Sequence, residues 1–198
     1  MQSQRARLML GAATAVADKG YAATSVADIL GHAGVSRATF YQLFDDKADC
    51  FVAACAMAAD VLAEVMGHEL TRIESDPGAT PIEKLDRLLG AYLGALAADP
   101  VLARVFLVEV YAAGEAAIRQ RRDALERFVD LVAATYGDAP GLLGTAPGQR
   151  FAAEVLVGAV SSMVTTAVAL GEVDRLPGLR EPLMRLAAQL STSSRAAR

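Results

Sequence analysis

Residues 24–47 read TSVADILGHAGVSRATFYQLFDDK, and the spacing of serines, glycine and apolar residues in this stretch decides the fold. Thr24 and Ser25 offer side-chain oxygens to the unpaired amides of a helix start, and Asp28 stands three residues after Ser25, a variant of the capping box. A helix is therefore expected over Val26–Ala33. Gly34 supplies the turn, Val35 is an apolar plug, and Ser36 caps a third helix that runs to about Leu43. Two short helices joined by a Gly-containing turn of three or four residues make a helix-turn-helix. Phe40 and Phe44, four apart, are expected to face a small core with Ile29, Leu30 and Val35.

Outward from this stretch the helical pattern continues in both directions. From Arg5 to Ala17, Leu8, Leu10, Ala12, Ala13, Ala15 and Val16 recur on one helical face, and Gly20 ends the run. After Phe44, the pair Asp45-Asp46 suits the positive end of a helix dipole, and a long fourth helix is predicted to about Glu74. Its stripe of Phe51, Cys55, Ala58, Leu62, Val65 and Met66 implies burial along one side. Gly67, inside it, is read as allowing close packing, with bending as the alternative. Breaks at Asp76-Pro77-Gly78, Asp99-Pro100, Gly114, Gly137–Pro147 and Leu176-Pro177-Gly178 separate five more helices. These are Pro81–Ala97, Val101–Tyr111, Glu115–Tyr136, Gln149–Leu170 and Glu181–Leu190, with Ser191–Arg198 as a frayed tail. The chain is thus expected to be all-α with about nine helices. Composition agrees: 41 of 198 residues are Ala, aromatics make up 6% and Trp is absent, which favours helices over strands. The expected division is a helix-turn-helix domain at 1–47 and a helical body at 48–198.

Several function classes lack their residues. Cys50 and Cys55 are the only cysteines, too few for a disulfide scaffold, and they read as buried small hydrophobes in a reducing compartment. His32 and His68 lie 36 positions apart on different helices, so neither a triad nor a metal cluster is indicated. No phosphate-binding loop, dinucleotide fingerprint or His-Glu-x-x-His motif occurs. Gly34-Val35-Ser36 begins like a nucleophile elbow, but a helix precedes the serine and Ala38 stands where glycine is needed. No catalytic residue, metal or cofactor is assigned. The start of the chain lacks a secretory pattern, so a cytoplasmic location is expected. The longest uncharged run, Val155–Gly171, falls short of the roughly 18 to 20 residues that span a bilayer and is expected to be a buried helix.

Net charge is −4, but it is unevenly spread. Through Lys47 five cations face four carboxylates, whereas the remainder carries fourteen cations against nineteen carboxylates. The acidity belongs to the body, and the first domain does not repel phosphate. On the third helix, Arg37 can reach a guanine edge through two hydrogen bonds, Thr39 can touch a thymine methyl or a phosphate, and Ala38 keeps the approach close. Tyr41 and Gln42 extend polar tips from the same helix, while Thr24, Ser25, Ser36 and Lys47 bracket the backbone from helix starts. These nine residues form the expected contact set for double-stranded DNA.

The run Gly20-Tyr21-Ala22-Ala23-Thr24-Ser25-Val26-Ala27-Asp28-Ile29, then Ala33-Gly34-Val35-Ser36-Arg37-Ala38-Thr39-Phe40-Tyr41, Phe44 and Lys47, closely resembles the N-terminal domain of the tetracycline-repressor (TetR) family of bacterial regulators. The likeness covers about Arg5 to Phe51. It implies a dimeric transcription factor, usually a repressor, whose all-α C-terminal domain binds a small molecule and releases a near-palindromic operator. A helical carrier or sensor without specific DNA binding is the alternative.

Beyond Val52 the body is read from the residues alone. The helix near 149–170, rich in Gly, Ala, Ser and Val, and Leu183, Leu186, Ala187 and Leu190 of the helix near 181–190 are expected to form a four-helix homodimer interface, with no membrane partner. Met57, Met66, Tyr92, Phe106, Glu109, Tyr111 and Phe128 are candidate lining residues for a small apolar effector. Glu109 sits in an apolar run where an unpaired carboxylate would be costly, and Arg104 or Arg150 is its expected partner.

Overall fold

A computed structural model describes residues 3–136 and 146–196. Among these residues there are nine α-helices and no strand: α1 Gln4–Lys19, α2 Val26–Ala33, α3 Arg37–Leu43, α4 Lys47–Glu74, α5 Pro81–Ala98, α6 Pro100–Leu107, α7 Glu115–Tyr136, α8 Ala146–Ala169 and α9 Arg180–Ala196. Two 3-10 segments, Glu109–Ala113 and Val173–Leu179, precede α7 and α9. The helices pack as two compact units, Met1–Val61 with Asp99–Asp123, and Leu62–Ala98 with Ala124–Arg198. These units interleave along the chain, whereas the sequence reading places one cut after residue 47.

In the first unit α1 lies against α2 at backbone distance. A Cβ on Gly11 would stand 2.8 Å from the Ile29 carbonyl oxygen and 3.0 Å from the Ala33 Cβ, so only glycine permits this crossing. Leu8, Ala12, Ala15 and Val16 of α1 are fully buried, as are Ile29, Phe40 and Phe51. At the far end of α2 the Arg7 guanidinium donates to the carbonyls of Ala33 and Gly34, at 2.6 and 2.8 Å. It thereby satisfies groups that a helix C-terminus leaves unpaired.

The sequence reading extends the sixth helix to Tyr111, and the structure shortens it. Asp99 caps α6 through the Leu102 amide, with Pro100 in the first turn, but the α-helix ends at Leu107. The apolar run carries on into the 3-10 segment, which Gly114 ends at φ 91°. An apolar pattern does not mark a change from α to 3-10 winding, because both bury one face.

The second unit has its own core of Leu85, Val129, Val132, Ala153 and Ala187. The Arg180 guanidinium ties the start of α9 to α5 through two bonds of 2.7 Å to Asp86. Arg87 of α5 reaches Glu69 of α4 at 2.7 Å. The Val155–Gly171 run is buried along one face only: Val160, Ser161, Val164 and Val168 point inward, while Val155, Met163 and Leu170 are exposed. By length and composition alone α4 and α8 could each cross a membrane, yet both carry a face buried within the protein. The predicted loop at 137–147 lies outside the described residues except for Ala146 and Pro147, which belong to α8. The predicted tail at Ser191 begins instead as a continuation of α9 to Ala196.

Gly67 differs from the expectation of close packing, since a Cβ there would meet nothing within 4 Å. Two glycine substitutions should therefore move stability in opposite directions. Gly11→Ala forces a shift of backbone and should cost about 1–3 kcal/mol, whereas Gly67→Ala should gain about 0.5–1 kcal/mol through helix propensity. Thermal and urea melts followed by circular dichroism measure both.

Candidate nucleic-acid interface and apolar cavity

The reader side of the first unit is built from caps. Ser25 accepts from the Asp28 amide while the Asp28 carboxylate accepts from the Ser25 amide and hydroxyl, closing a reciprocal box at the start of α2. Gly34 turns the chain at φ 59°. Ser36 then accepts from the Thr39 amide at 3.1 Å and meets the Thr39 hydroxyl at 2.9 Å, which fixes the first turn of α3. Phe40 and Phe44 anchor the helix from below, their ring centroids 5.9 Å apart, with both side chains buried. Arg37, Ala38, Tyr41 and Gln42 are left exposed on the outer face. The Arg37 guanidinium carbon lies 5.7 Å from the Tyr41 ring centroid, so cation and phenol share one side of the helix. A short capped helix that exposes a guanidinium, a methyl, a phenol and an amide can offer hydrogen bonds and close contact to base edges in a major groove.

In the second unit α5, α7, α8 and α9 enclose a cavity of about 60 Å³, with Met66 of α4 at its wall. Its lining is apolar: Leu85, Leu88 and Leu89 from α5, Phe128 and Val132 from α7, Val157 and Val160 from α8, and Leu183, Met184 and Ala187 from α9. Tyr92 and Phe128 meet edge to face at 5.9 Å. Ser161 and Tyr92 are the lining residues that carry a hydroxyl.

Residues 8–54 match the model of the tetR family of bacterial regulatory proteins. The N-terminal domain belongs to the tetR family. Over 157 residues, 77% of this chain and 77% of the relative, the protein is 27% identical to the fatty acid metabolism regulator protein of Bacillus subtilis strain 168. Its fold is similar to that of the fatty acid degradation regulator FadR from Bacillus halodurans, with a TM-score of 0.72 and 22% identity over 96% of each chain. FadR from Bacillus subtilis, solved in complex with stearoyl-CoA, gives a TM-score of 0.75 and 21% identity over 94% of this chain and 97% of that one. The likeness in fold runs through the helical body as well as the tetR domain.

Within the tetR domain the expected contact residues separate. Ser36, Arg37, Ala38, Thr39, Tyr41 and Gln42 stand together at α3, and Ser25 is exposed at the start of α2. Thr24 is not at the surface: it is 3% exposed, and its hydroxyl lies 2.8 Å from the Gly20 carbonyl and 3.2 Å from that of Ala15. Lys47 also turns inward and donates to the carbonyls of Tyr21 and Thr24 at 2.8 and 2.9 Å. In sequence a hydroxyl or ammonium at a helix start looks free to meet a phosphate, and only the preceding turn folded over it shows otherwise.

The seven expected pocket residues divide as well. Met66, Tyr92 and Phe128 line the cavity. Met57, Phe106, Glu109 and Tyr111 belong to the first unit instead. There Phe106 and Tyr111 hold the buried Arg121, which donates to the Phe106 carbonyl at 3.0 Å and to the Tyr111 hydroxyl at 3.1 Å. Glu109 is ion-paired with Arg104 at 2.8 Å, the first of its two expected partners, while Arg150 pairs with Asp130. Leu183 and Ala187, assigned from sequence to a dimer interface, face the cavity, and Leu186 is exposed. Their spacing of four showed a common buried face but not what it is buried against. Burial pushes the thiols of Cys50 and Cys55 up to about 12, so neither is a ready nucleophile. Among the described residues no three His, Cys, Asp or Glu side chains gather as a metal site.

The cap before the reader gives a test in pH. Hydrogen bonds from Lys19 and from Ser25 hold the Asp28 carboxyl well below its ordinary 3.8. A depressed folded value means that the stabilisation is complete above the ordinary carboxylate range and is lost progressively as pH falls from that range through the lower folded value. Wild type should therefore melt higher than Asp28→Asn at pH 7, and the two melting temperatures should converge as the pH is lowered below 3.8.

Proposed function

We propose that this protein is a ligand-responsive transcriptional regulator that binds a near-palindromic operator as a homodimer and is released by a ligand with a long apolar chain. The observation that carries the DNA reading is α3: a helix capped by Ser36 and anchored by Phe40 and Phe44, which presents Arg37, Ala38, Tyr41 and Gln42 to solvent within a tetR domain. Ser25, Ser36 and Thr39 supply hydroxyls for phosphate or base contact around it. The relatives named above are transcriptional regulators rather than enzymes and support a bacterial cytoplasmic protein.

The homodimer is favoured by the outer face of α8. Phe151, Val155, Met163 and Leu170 form an exposed apolar row, with Leu186 of α9 exposed as well. Gly158, Ala159 and Ser162 lie between them and allow a second helix to approach closely. Hydroxyls at Ser162 and Thr166 interrupt the row, which suits a protein partner better than lipid tails. Two helices from each copy make a four-helix seam with two-fold symmetry, the symmetry that a near-palindromic operator requires.

The effector reading rests on the cavity. Its walls are almost wholly hydrocarbon, and a volume of about 60 Å³ is far below the roughly 300–1,000 Å³ of pockets that hold small molecules. A ligand must part α5, α7, α8 and α9 to enter, so its binding selects a different arrangement of the body, and operator and ligand weaken each other reciprocally. The stearoyl-CoA complex of the Bacillus subtilis regulator supports an acyl chain as the occupant.

Selection of bound sequences from random duplex DNA should yield one palindromic motif. Arg37→Ala should then lose about 1–3 kcal/mol at that motif and relax preference at a single base position in each half. Binding without sequence preference, lost steeply with salt, would reject the reading. For the effector, stearoyl-CoA should release the operator from the wild type. Ala187→Leu, which fills the cavity, should leave operator affinity within about twofold and weaken release by about tenfold or more, as measured by fluorescence anisotropy. Equal release in the two proteins would place the ligand elsewhere.

A further inference from the structure

The turn from Gly20 to Thr24 joins α1 to α2, and both backbone groups of Tyr21 within it are held by charges from distant parts of the first unit. The Tyr21 amide donates to Glu109 Oε2 at 2.9 Å across 88 residues of sequence. The Tyr21 carbonyl accepts from Lys47 Nζ at 2.8 Å, and the same ammonium lies 4.3 Å from the centroid of the Tyr21 ring. Glu109 is buried in the 3-10 segment that follows α6, and its other oxygen is held by Arg104 at 2.8 Å. Lys47 is the first residue of α4 and also binds the Thr24 carbonyl, immediately before the cap of α2. Charge-assisted bonds of this kind are about twice as strong as neutral ones and strongly directional. They fix where α2 begins, and α2 with the Gly34 turn fixes where α3 points.

We propose that Lys47 and Glu109 are paired positioning residues that set the pose of the reader helix by gripping Tyr21 from its two backbone sides. The proposal rests on the regulator reading above. Neither residue touches DNA in it; each acts through the turn. A contact between Lys47 and a phosphate is the competing assignment, and the two make different predictions in salt. Removing a phosphate contact lowers the slope of log affinity against log salt by about one unit, while loss of a positioning contact lowers affinity and leaves the slope alone. Along the chain, α4 goes on from Lys47 to Met66, and the 3-10 segment with Glu109 joins α6 to α7.

The test uses the full-length chain with Lys47→Met, Glu109→Gln, both together, and Lys47→Arg as the conservative control. Two properties are measured: exchange protection of the Tyr21 amide by NMR without DNA, and operator affinity across a salt series. In Glu109→Gln, Tyr21 protection should fall by about tenfold or more while neighbouring α1 amides keep theirs. Lys47→Met and Glu109→Gln should each weaken the operator about five- to tenfold at unchanged salt slope. The double variant should be no weaker than the worse single one, since both act on one turn, and Lys47→Arg should restore most of the affinity. A salt slope reduced by about one in Lys47→Met, additive losses in the double variant, or unchanged Tyr21 protection would each overturn the proposal. If Glu109→Gln does not fold, the slope and affinity of Lys47→Met and Lys47→Arg still decide between a grip and a phosphate contact. Failure of the wild type to bind any specific sequence would instead defeat the regulator reading, and the Tyr21 exchange measurement would stand apart from it.

Discussion

Short helices are mostly ends, and this shapes the first unit. An α-helix leaves four amides and four carbonyls without partners at its termini, yet α2 has eight residues and α3 has seven. About half of the backbone amides and carbonyls in these two helices must therefore find partners outside their own helical ladder. Ser25, Asp28 and Ser36 serve the amino ends. Arg7 serves the carboxyl end of α2, and Lys47, Thr24 and Glu109 serve the turn before it. The apolar centre of so small a domain, around Ile29, Phe40 and Phe44, can then be modest, because the long polar side chains that complete the ends also fix the angles between helices.

The second unit meets the opposite condition. Its helices are long and rich in small apolar residues, so their ends matter less and their faces more. The helix α8 divides its surface between two duties, with Val160 and Ser161 turned to the cavity and Val155 and Met163 turned outward. Alanine, glycine and serine between these positions keep the outer face of the helix low.

How much of this was legible in the sequence follows from range. The bounds of α2 at Val26–Ala33 and the caps at Ser25 and Ser36 depend on atoms within four residues, and they were read from spacing alone. The inward turn of Thr24 and Lys47 depends on a tertiary contact with the preceding turn, which no local pattern records. The same holds for the pocket. Periodicity identified Leu183 and Ala187 as buried but could not tell a cavity from a partner subunit. Glu109 was recognised as needing a cation, and Arg104 is that cation; its second bond, to the Tyr21 amide, spans too many residues to be inferred. The end of α6 at Leu107 was hidden because the apolar run passes unbroken into the 3-10 segment.

The hydrocarbon walls of the cavity bear on what kind of information the protein could report. A wall that offers almost no directed hydrogen bonds cannot reward one functional group over another, and discrimination by buried hydrocarbon amounts to about 0.8 kcal/mol for each methylene. Such a site grades its occupants by bulk and length. A cell using it would measure the abundance of a whole class of chains, weighted by size, and not the presence of one compound.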